Sequence, residues 1–529
     1  MLREASYYTA MARGLYHYLR TPSPHDAGAL IRQQLQNREE IFLDTVRRVV
    51  FSRSDHPYHE MFRLAGCDYQ GLADAVRREG LETTLASLHR QGVYLAHDEL
   101  KGKQAIVRSG RHIPSNDNSF LNPLAQGLME SASSGSRSQG TRTRRSTAHQ
   151  IHCEAYGILK RHECRLAGRA QIELRPILPS VVGLMTTLHA ARSGRPAECW
   201  FTASGTWGDS GHYRVVTGAM VLLANLMGTR VPFPTPLPPN DFAPVAQLIA
   251  RRRAEGVACV LGGFVSPATR VATAAIEKGL DISGTFFNMG GEALTYAKRR
   301  LIEAAGGEAS INYWAHEAGP IGMSCGKMTT GDSVHLLRDS MAAISYRRMA
   351  PLAEVEVNSL LFTTLLPFAP RVLINAELDD SGVIEPARCD CTFSAAGFTE
   401  QIRGIRSFGK LTGQGMTLMG TDMLRILEEV LPERFGGGPG DYQLVEQEAG
   451  RQTRLVLRVS PRTGVTSSDK ISEYFLKEIR KHHGGALAAR VWRHAEAVET
   501  VIAQPLTTPN GKVHALHLLG SSEPKSDEA

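Results

Sequence analysis

Beyond about Ile172 the chain alternates short β-branched or apolar runs with amphipathic helical stretches, and no other feature of the sequence restricts its fold as much. ACVLGG, GTFFNMGG, EASINYWA, NSLLFTTLL and RVLINAEL have the composition of strands, whereas VAQLIARRRAE and EALTYAKRRLIEAAG read as helices. This alternation predicts an α/β body with mixed sheets and helices. Residues 1–110 read as helical, with apolar positions three and four apart in AGALIRQQLQNREEIFLDTVRRVVF and LADAVRREGLETTLASLHRQGV. They are expected to form the helical part of one large domain whose α/β core spans 111–404. After about Ile405 a glycine-rich, hinge-like segment, RSFGKLTGQGMTLMG, leads into a helix, two strands and a further helix. That order predicts a small, mobile α+β domain over 405–519, and the polar end 520–529 is expected to be disordered.

A chain of 529 residues, 42% apolar and 21% charged, can bury a large core. Its 60 basic and 53 acidic residues form no long single-sign block, so a nucleotide fits the charge balance as well as a nucleic acid does. Arg137, Arg142, Arg144 and Arg145 have no aromatic residues between them to stack on bases, and no nucleic-acid partner is expected. The longest apolar run, TGAMVLLANLMG, falls short of the roughly 20 residues that a membrane span needs. Glu4 and Arg13 interrupt the stretch that would be apolar in a secretory signal. Unevenly spaced cysteines fit reduced thiols better than a disulfide framework, so a cytoplasmic protein with no membrane partner is expected.

Four groups of residues carry candidate chemistry. In SASSGSRSQGTRTRRS, the backbone N–H groups and hydroxyls of Ser133, Ser134, Gly135, Ser136, Gly140 and Thr141 can converge on a phosphate; the alternative is a basic linker. Gly135 and Gly140 have P-loop spacing, but Thr141 and Arg142 follow where that motif requires Lys and then Ser or Thr. A second Ser/Gly stretch, TASGTWGDSG, reads as a surface turn. FNMGGEALTYAKRRLIEAAGGEASINYWAHEAG reads as strand, Gly-Gly-Glu turn, helix, strand, and a loop bearing Tyr313, His316 and Glu317. There Gly290 and Gly291 let a flat base approach the backbone, Tyr313 can stack on it, and Glu317 can hold Mg²⁺ against phosphate oxygens. A plain βαβ connection with a solvated glutamate is the alternative. PLTTPNGK holds Lys512 on a Gly-Lys turn, which alone reads as a solvated hairpin lysine. Cys325, His335, Cys389 and Cys391 offer a ligand set that suits tetrahedral zinc, against buried free thiols.

Taken in order, these segments resemble the adenylate-forming superfamily, and within it the phenylacetate–CoA ligase-like branch, over roughly Pro57 to Leu518. GGEALTYAKRRLIEAAGG and NYWAHEAG resemble a G-[AG]-E turn, its helix and a Y-G-x-[ST]-E loop, which implies nucleotide contacts for Gly290, Gly291, Glu292, Tyr313 and His316. NSLLFTTLLPFAPRVLINAELDDSG resembles the segment ending in a ribose-binding aspartate, which implies that role for Asp380, with Asp379 one register away. SSGSRSQGT is similar to the phosphate loop, and FGKLTGQGMTLMGTDMLRILEEVL to the hinge and first helix of the small domain. PLTTPNGK resembles the terminal motif whose lysine carries out adenylation, which implies a catalytic Lys512 acting with Glu317. The branch also implies a structural Zn²⁺ on Cys325, His335, Cys389 and Cys391. The chain departs from the pattern at Trp314, where the family has Gly beside the acyl pocket, and at His316, Arg137, Gln139 and Lys410.

The activity so implied is the conversion of a small carboxylic acid to its acyl-adenylate with ATP and Mg²⁺, followed by transfer to a thiol, with coenzyme A as the expected acceptor. Transfer to a protein or carrier thiol is the alternative, as is a nucleotide-binding homologue without catalysis. A monomer or homodimer is expected.

Overall fold

The computed structural model describes residues 2–116, 118–125, 127–132, 142–203, 211–238, 240–328, 332–349, 356–407, 412–413, 416–417, 420–449, 452–481, 498–508 and 511–519. A twelve-stranded sheet runs through the main body. One half is parallel, in the spatial order Pro234–Pro236, Cys199–Thr202, Ala170–Leu174, Cys259–Phe264, Phe286–Gly290 and Glu308–Ala315. The other half continues antiparallel through Gly319–Met323, Val334–Leu336, Glu400–Ser407, Ala376–Pro386, Glu356–Thr364 and Met341–Met349. Glu308–Ala315 is the strand at which the sense changes.

Helices Ala243–Ala254, Val265–Glu277 and Tyr296–Ala304 connect successive parallel strands. Cys259–Phe264 is buried at every residue, the signature of a strand covered on both faces, and it explains why that run is continuously apolar. The helix expected to begin at Glu292 begins at Tyr296, because Thr295 accepts a hydrogen bond from Lys298 N at 3.4 Å and caps it there. Parallel strands with short turns at their C-terminal ends leave a crevice beyond those ends, where ligands of open α/β sheets bind.

The Ser/Gly/Arg-rich stretch is neither a simple loop nor a linker at its two ends. Gly127–Ala132 pairs antiparallel with Arg142–Ser146, a ladder sustained by backbone hydrogen bonds without apolar alternation. Ser133, Ser134, Gly135, Ser136, Gly140 and Thr141 lie outside the described residues, as do most of 204–211, the hinge residues Gly409 and Lys410, and 520–529.

From Gly420 onward the chain builds a second sheet, ordered Val498–Ile502, Gln452–Val459, Tyr442–Ala449 and Leu516–Leu519. It has its own core, in which Leu427, Leu444, Leu457, Phe475 and Ile479 are buried together. The helical stretch from Gly420 to Phe435 contains a π turn at Ile426–Val430. Among the described residues no helix is long and apolar enough to cross a membrane.

Candidate active site

Gly290 ends its strand and Gly291 turns the chain with φ 77°. A Cβ on Gly291 would lie 2.9 Å from the Phe264 ring and 3.0 Å from Lys512 Nζ, so the turn requires glycine for space as well as conformation. This turn lines two cavities. The smaller, of about 250 Å³, is bounded by Gly291, Glu292, Tyr313, Trp314 and Asp380. Tyr313 lies on the strand Glu308–Ala315 and not on the loop after it, and its hydroxyl donates to Asp380 Oδ2 at 2.5 Å. Burial, reinforced by the Asp380 carboxylate, pushes that phenol well above its ordinary range and keeps it a donor. Asp380 faces this cavity, whereas Asp379 takes up a left-handed turn with φ 68°.

Glu292 lines the same cavity, yet its oxygens are engaged. They accept from Ser266 N at 2.8 Å and Ser266 Oγ at 2.7 Å, which fixes the first turn of helix Val265–Glu277 against the Gly-Gly-Glu turn. Its position is that of a scaffold for the crevice.

The larger cavity, of about 390 Å³, is bounded at its near end by Gly290, Gly291, Trp314, His316 and Lys512. Lys512 arrives from the small sheet. Its Nζ donates to Gly291 O at 3.0 Å and stands 4.4 Å from the centroid of the Phe264 ring. The turn that presents it is braced: Gly511 N donates to Thr508 O at 2.7 Å, Thr508 N to Lys512 O at 2.9 Å, and Lys512 N to Thr508 Oγ1 at 3.1 Å. Ser266 Oγ, whose proton goes chiefly to Glu292, also lies 3.3 Å from Val513 O where the turn meets the main body. The lysine is therefore held where the two cavities meet, which a solvated hairpin lysine would not be.

Glu317 sits in the turn after Ala315, buried, and lines neither cavity; its carboxylate forms an ion pair with Lys101. Burial alone would raise its carboxyl, and Lys101 more than offsets that, holding it below the usual carboxylate range. One carboxylate is what a Mg²⁺ ion needs when phosphate oxygens and water complete its shell, so the donor type fits, with Lys101 as its present partner. Lys101 stands 216 residues away in the chain and no local sequence signal pointed to it.

The small sheet is locked to the crevice by a second buried contact. Lys298, which lines the smaller cavity, pairs with Glu428 Oε1 at 2.7 Å; Glu428 lies on the π turn, and Thr295 Oγ1 also donates to it. Burial pulls Lys298 down, but Glu428 and then Glu292 outweigh it and keep the ammonium charged. Arg462 and Glu277 pair nearer the surface.

Cys325, His335, Cys389 and Cys391 converge, their donor atoms all within 4.8 Å of one another. Cys325 and Cys389 sulfurs are 3.8 Å apart, Cys389 and Cys391 sulfurs 3.3 Å, and both of the latter are 3.2 Å from His335 Nε2. The edge of a tetrahedral zinc–thiolate site is about 3.8 Å, so the set fits such an ion with slight expansion. His335 Nδ1 donates to Phe398 O at 2.9 Å, which fixes the tautomer and turns the Nε2 lone pair toward the cysteines.

No protein-family model matches this chain, and no curated protein does. Among solved structures it is similar to 2-hydroxyisobutyryl-CoA ligase in the postadenylation state with R3-HIB-AMP, at 14% identity and a TM-score of 0.52 over 92% of this chain and 90% of that one. It is also similar to acetoacetyl-CoA synthetase from Streptomyces lividans, at 13% identity and TM-score 0.40 over 82% of this chain and 62% of that one. O-succinylbenzoate coenzyme A synthetase from Bacillus subtilis, in complex with ATP and magnesium, gives 9% identity and TM-score 0.40 over 88% and 92%. The first of these likenesses shows the fold: the chain has that of the adenylate-forming ligases.

Proposed function

We propose that the protein activates a carboxylic acid as its acyl-adenylate with ATP and Mg²⁺ and then passes the acyl group to a thiol, coenzyme A in the first instance. The observation that carries this reading is Lys512, brought from the small sheet to the turn that lines both cavities. The smaller cavity would take the nucleoside, with Tyr313 and Asp380 at the sugar and base. The larger would take the acid. One carboxylate oxygen attacks the α-phosphorus, the bond to the bridging oxygen breaks, and pyrophosphate leaves. Negative charge gathers on the phosphoryl oxygens near Gly291, and Lys512 exchanges its carbonyl partner for them. Mg²⁺, held in part by Glu317, would supply further neutralisation of the phosphates. The Cys325, His335, Cys389 and Cys391 set is the feature by which we place the chain near the phenylacetate–CoA ligase-like branch, with zinc in a structural role.

Pyrophosphate exchange into ATP across a panel of acids, followed by coenzyme A consumption, tests the reading. Exchange without coenzyme A consumption assigns the acyl group to a protein or carrier thiol, and ATP binding with no exchange for any acid removes the enzyme reading.

The buried Lys298–Glu428 pair holds the small sheet in the arrangement that delivers Lys512. Removing one partner of a buried pair costs about 3 to 5 kcal/mol in the state that buries it. Part of that loss is relieved as the small sheet moves away, so Glu428→Ala should lower adenylation kcat/KM by roughly 10-fold. Thiol transfer from supplied acyl-adenylate should be retained. Equal loss in both half-reactions would show that Glu428 serves only stability.

A further inference from the structure

The wall of the larger cavity is charged where a simple alkyl or aryl acid would require it to be apolar. Of its lining residues Arg145, Lys160, Arg161, Arg175 and Lys512 are cationic, and only Glu173 is anionic. Glu173 is matched by Arg175, whose Nε lies 3.5 Å from Oε2. Lys160 donates to Asn312 Oδ1 and, at 3.4 Å, to Ile311 O. Arg145 and Arg161 differ: among the described residues no ion pair reaches either, Arg145 Nε and Arg161 Nη2 are buried without a hydrogen-bond partner, and Glu317 and Glu154 act on them only at longer range.

Helix Thr147–Glu163 supplies Gln150 and Arg161 to this wall, helix Val182–Arg192 supplies His189, and Arg145 enters from the hairpin strand. Arg145 Nε, Gln150 Nε2, Arg161 Nη2 and His189 Nε2 are all buried and unpaired. Arg145 is only 8% exposed and Gln150 1%. Glu154, the carboxylate that acts on Arg161, is already taken by Arg192 and Tyr18. Burial pulls the Arg161 guanidinium down to about 10 and His189 to about 4, where nearby arginines add to the effect, so His189 is a neutral hydrogen-bonding group at pH 7.

Burying a charge with no partner costs several kcal/mol, and such groups persist where a ligand brings the missing partner. A planar guanidinium takes an oxyanion through two parallel N–H bonds. The lining also includes Met185, Val260 and Trp314, which suit a hydrocarbon spacer.

We propose that the acid bound here carries a second oxyanion, carboxylate or phosphonate-like, at the end remote from the reacting carboxylate, held by Arg161 and Arg145 with Gln150 and His189 completing its hydrogen bonds. The assignment of the first carboxylate to the α-phosphate rests on the adenylation reading; the binding of the second does not.

The test uses the full-length protein and matched pairs of acids: adipate against hexanoate, terephthalate against benzoate, and 3-phosphonopropionate against butyrate. Each is measured by calorimetric binding and by pyrophosphate exchange into ATP. The doubly anionic member of at least one pair should be preferred by roughly 10²-fold, since a site built for a polar group rejects the analogue that lacks it. Arg161→Gln should abolish that preference through KM, raising KM for the doubly anionic acids far more than for their single-anion partners. Arg145→Gln should weaken the same ligands yet raise the melting temperature of the ligand-free protein, an opposition that a merely structural arginine would not produce. Better binding of the phosphonate identifies the second group as phosphate-like, and of the dicarboxylates as a carboxylate; both support the proposal. Single-anion acids binding as well as their partners, or a preference indifferent to both substitutions, would overturn it. Arg161-dependent binding with no exchange for any acid would sustain it and overturn the adenylation reading instead.

Discussion

Replacing Lys512 with alanine should slow acyl-adenylate formation by about 10²- to 10³-fold, equivalent to the 3 to 4 kcal/mol typical of a lost preorganised donor. The size follows from what the attack requires. A carboxylate approaching a polyphosphate brings two anions together, and their repulsion has to be offset at the reacting phosphorus. Lys512 is already oriented by the Thr508–Gly511 turn, with the Phe264 face and the Gly291 carbonyl beneath its ammonium. Little reorganisation is needed to transfer it to a phosphoryl oxygen. ATP affinity should change little, because Tyr313, Asp380 and Gly291 bound the smaller cavity, the one proposed for the nucleotide, without it. Lys512→Arg should rescue poorly, since a planar fork does not replace a compact ammonium on a tight turn. Pyrophosphate exchange at saturating ATP measures the first half-reaction, and acyl transfer from supplied adenylate the second. A variant that keeps normal exchange, or loses both half-reactions alike, would remove the assignment.

The parallel half of the sheet was legible because buried strands and the helices between them have different periodicities. ACVLGG became Cys259–Phe264, GTFFNMGG became Phe286–Gly290 and EASINYWA became Glu308–Ala315. The same logic failed for Gly127–Ala132 and Arg142–Ser146, whose pairing depends on backbone partners and leaves no apolar pattern. At the site, residue type revealed the candidates and the fold decided their work. Glu292 lines the smaller cavity, and the strand-to-helix turn also places Ser266 within its reach. Glu317 meets Lys101, and Lys512 meets Phe264, through contacts between segments far apart in sequence, which no local spacing encodes. The charged wall of the larger cavity was invisible for a related reason. Arg145 had been read with Arg137, Arg142 and Arg144 as part of one basic run, and only the strand register turns it inward, to the buried position it holds.

Purified protein should contain about one equivalent of zinc, and the Cys389→Ser, Cys391→Ser double variant should lose it together with several kcal/mol of stability. The expected loss is large because of what the cluster joins. Cys325 follows the antiparallel strand Gly319–Met323, His335 lies on Val334–Leu336, and Cys389 and Cys391 belong to the connection before Glu400–Ser407. Thr392, next to Cys391, donates through N at 2.7 Å and Oγ1 at 2.6 Å to Glu163, at the end of the helix whose other residues wall the larger cavity. An ion at this point would therefore hold three sheet elements and one cavity wall in register, while touching neither Lys512 nor the nucleotide side. Without it, three thiols and an imidazole pack against one another with Ser394 as their neighbouring hydrogen-bonding group. For a chain this long, a loss of several kcal/mol corresponds to a fall in melting temperature of about 3 to 5 °C. Acid binding should weaken before ATP binding does, because residues of the loosened helix Thr147–Glu163 line the larger cavity and none lines the smaller. Cys67→Ser, distant in the fold from the cluster, should change neither zinc content nor melting. Metal analysis by mass spectrometry with thermal unfolding decides the matter: metal-free protein as stable as the zinc-supplemented form would mean that the four residues are packed thiols and a core histidine.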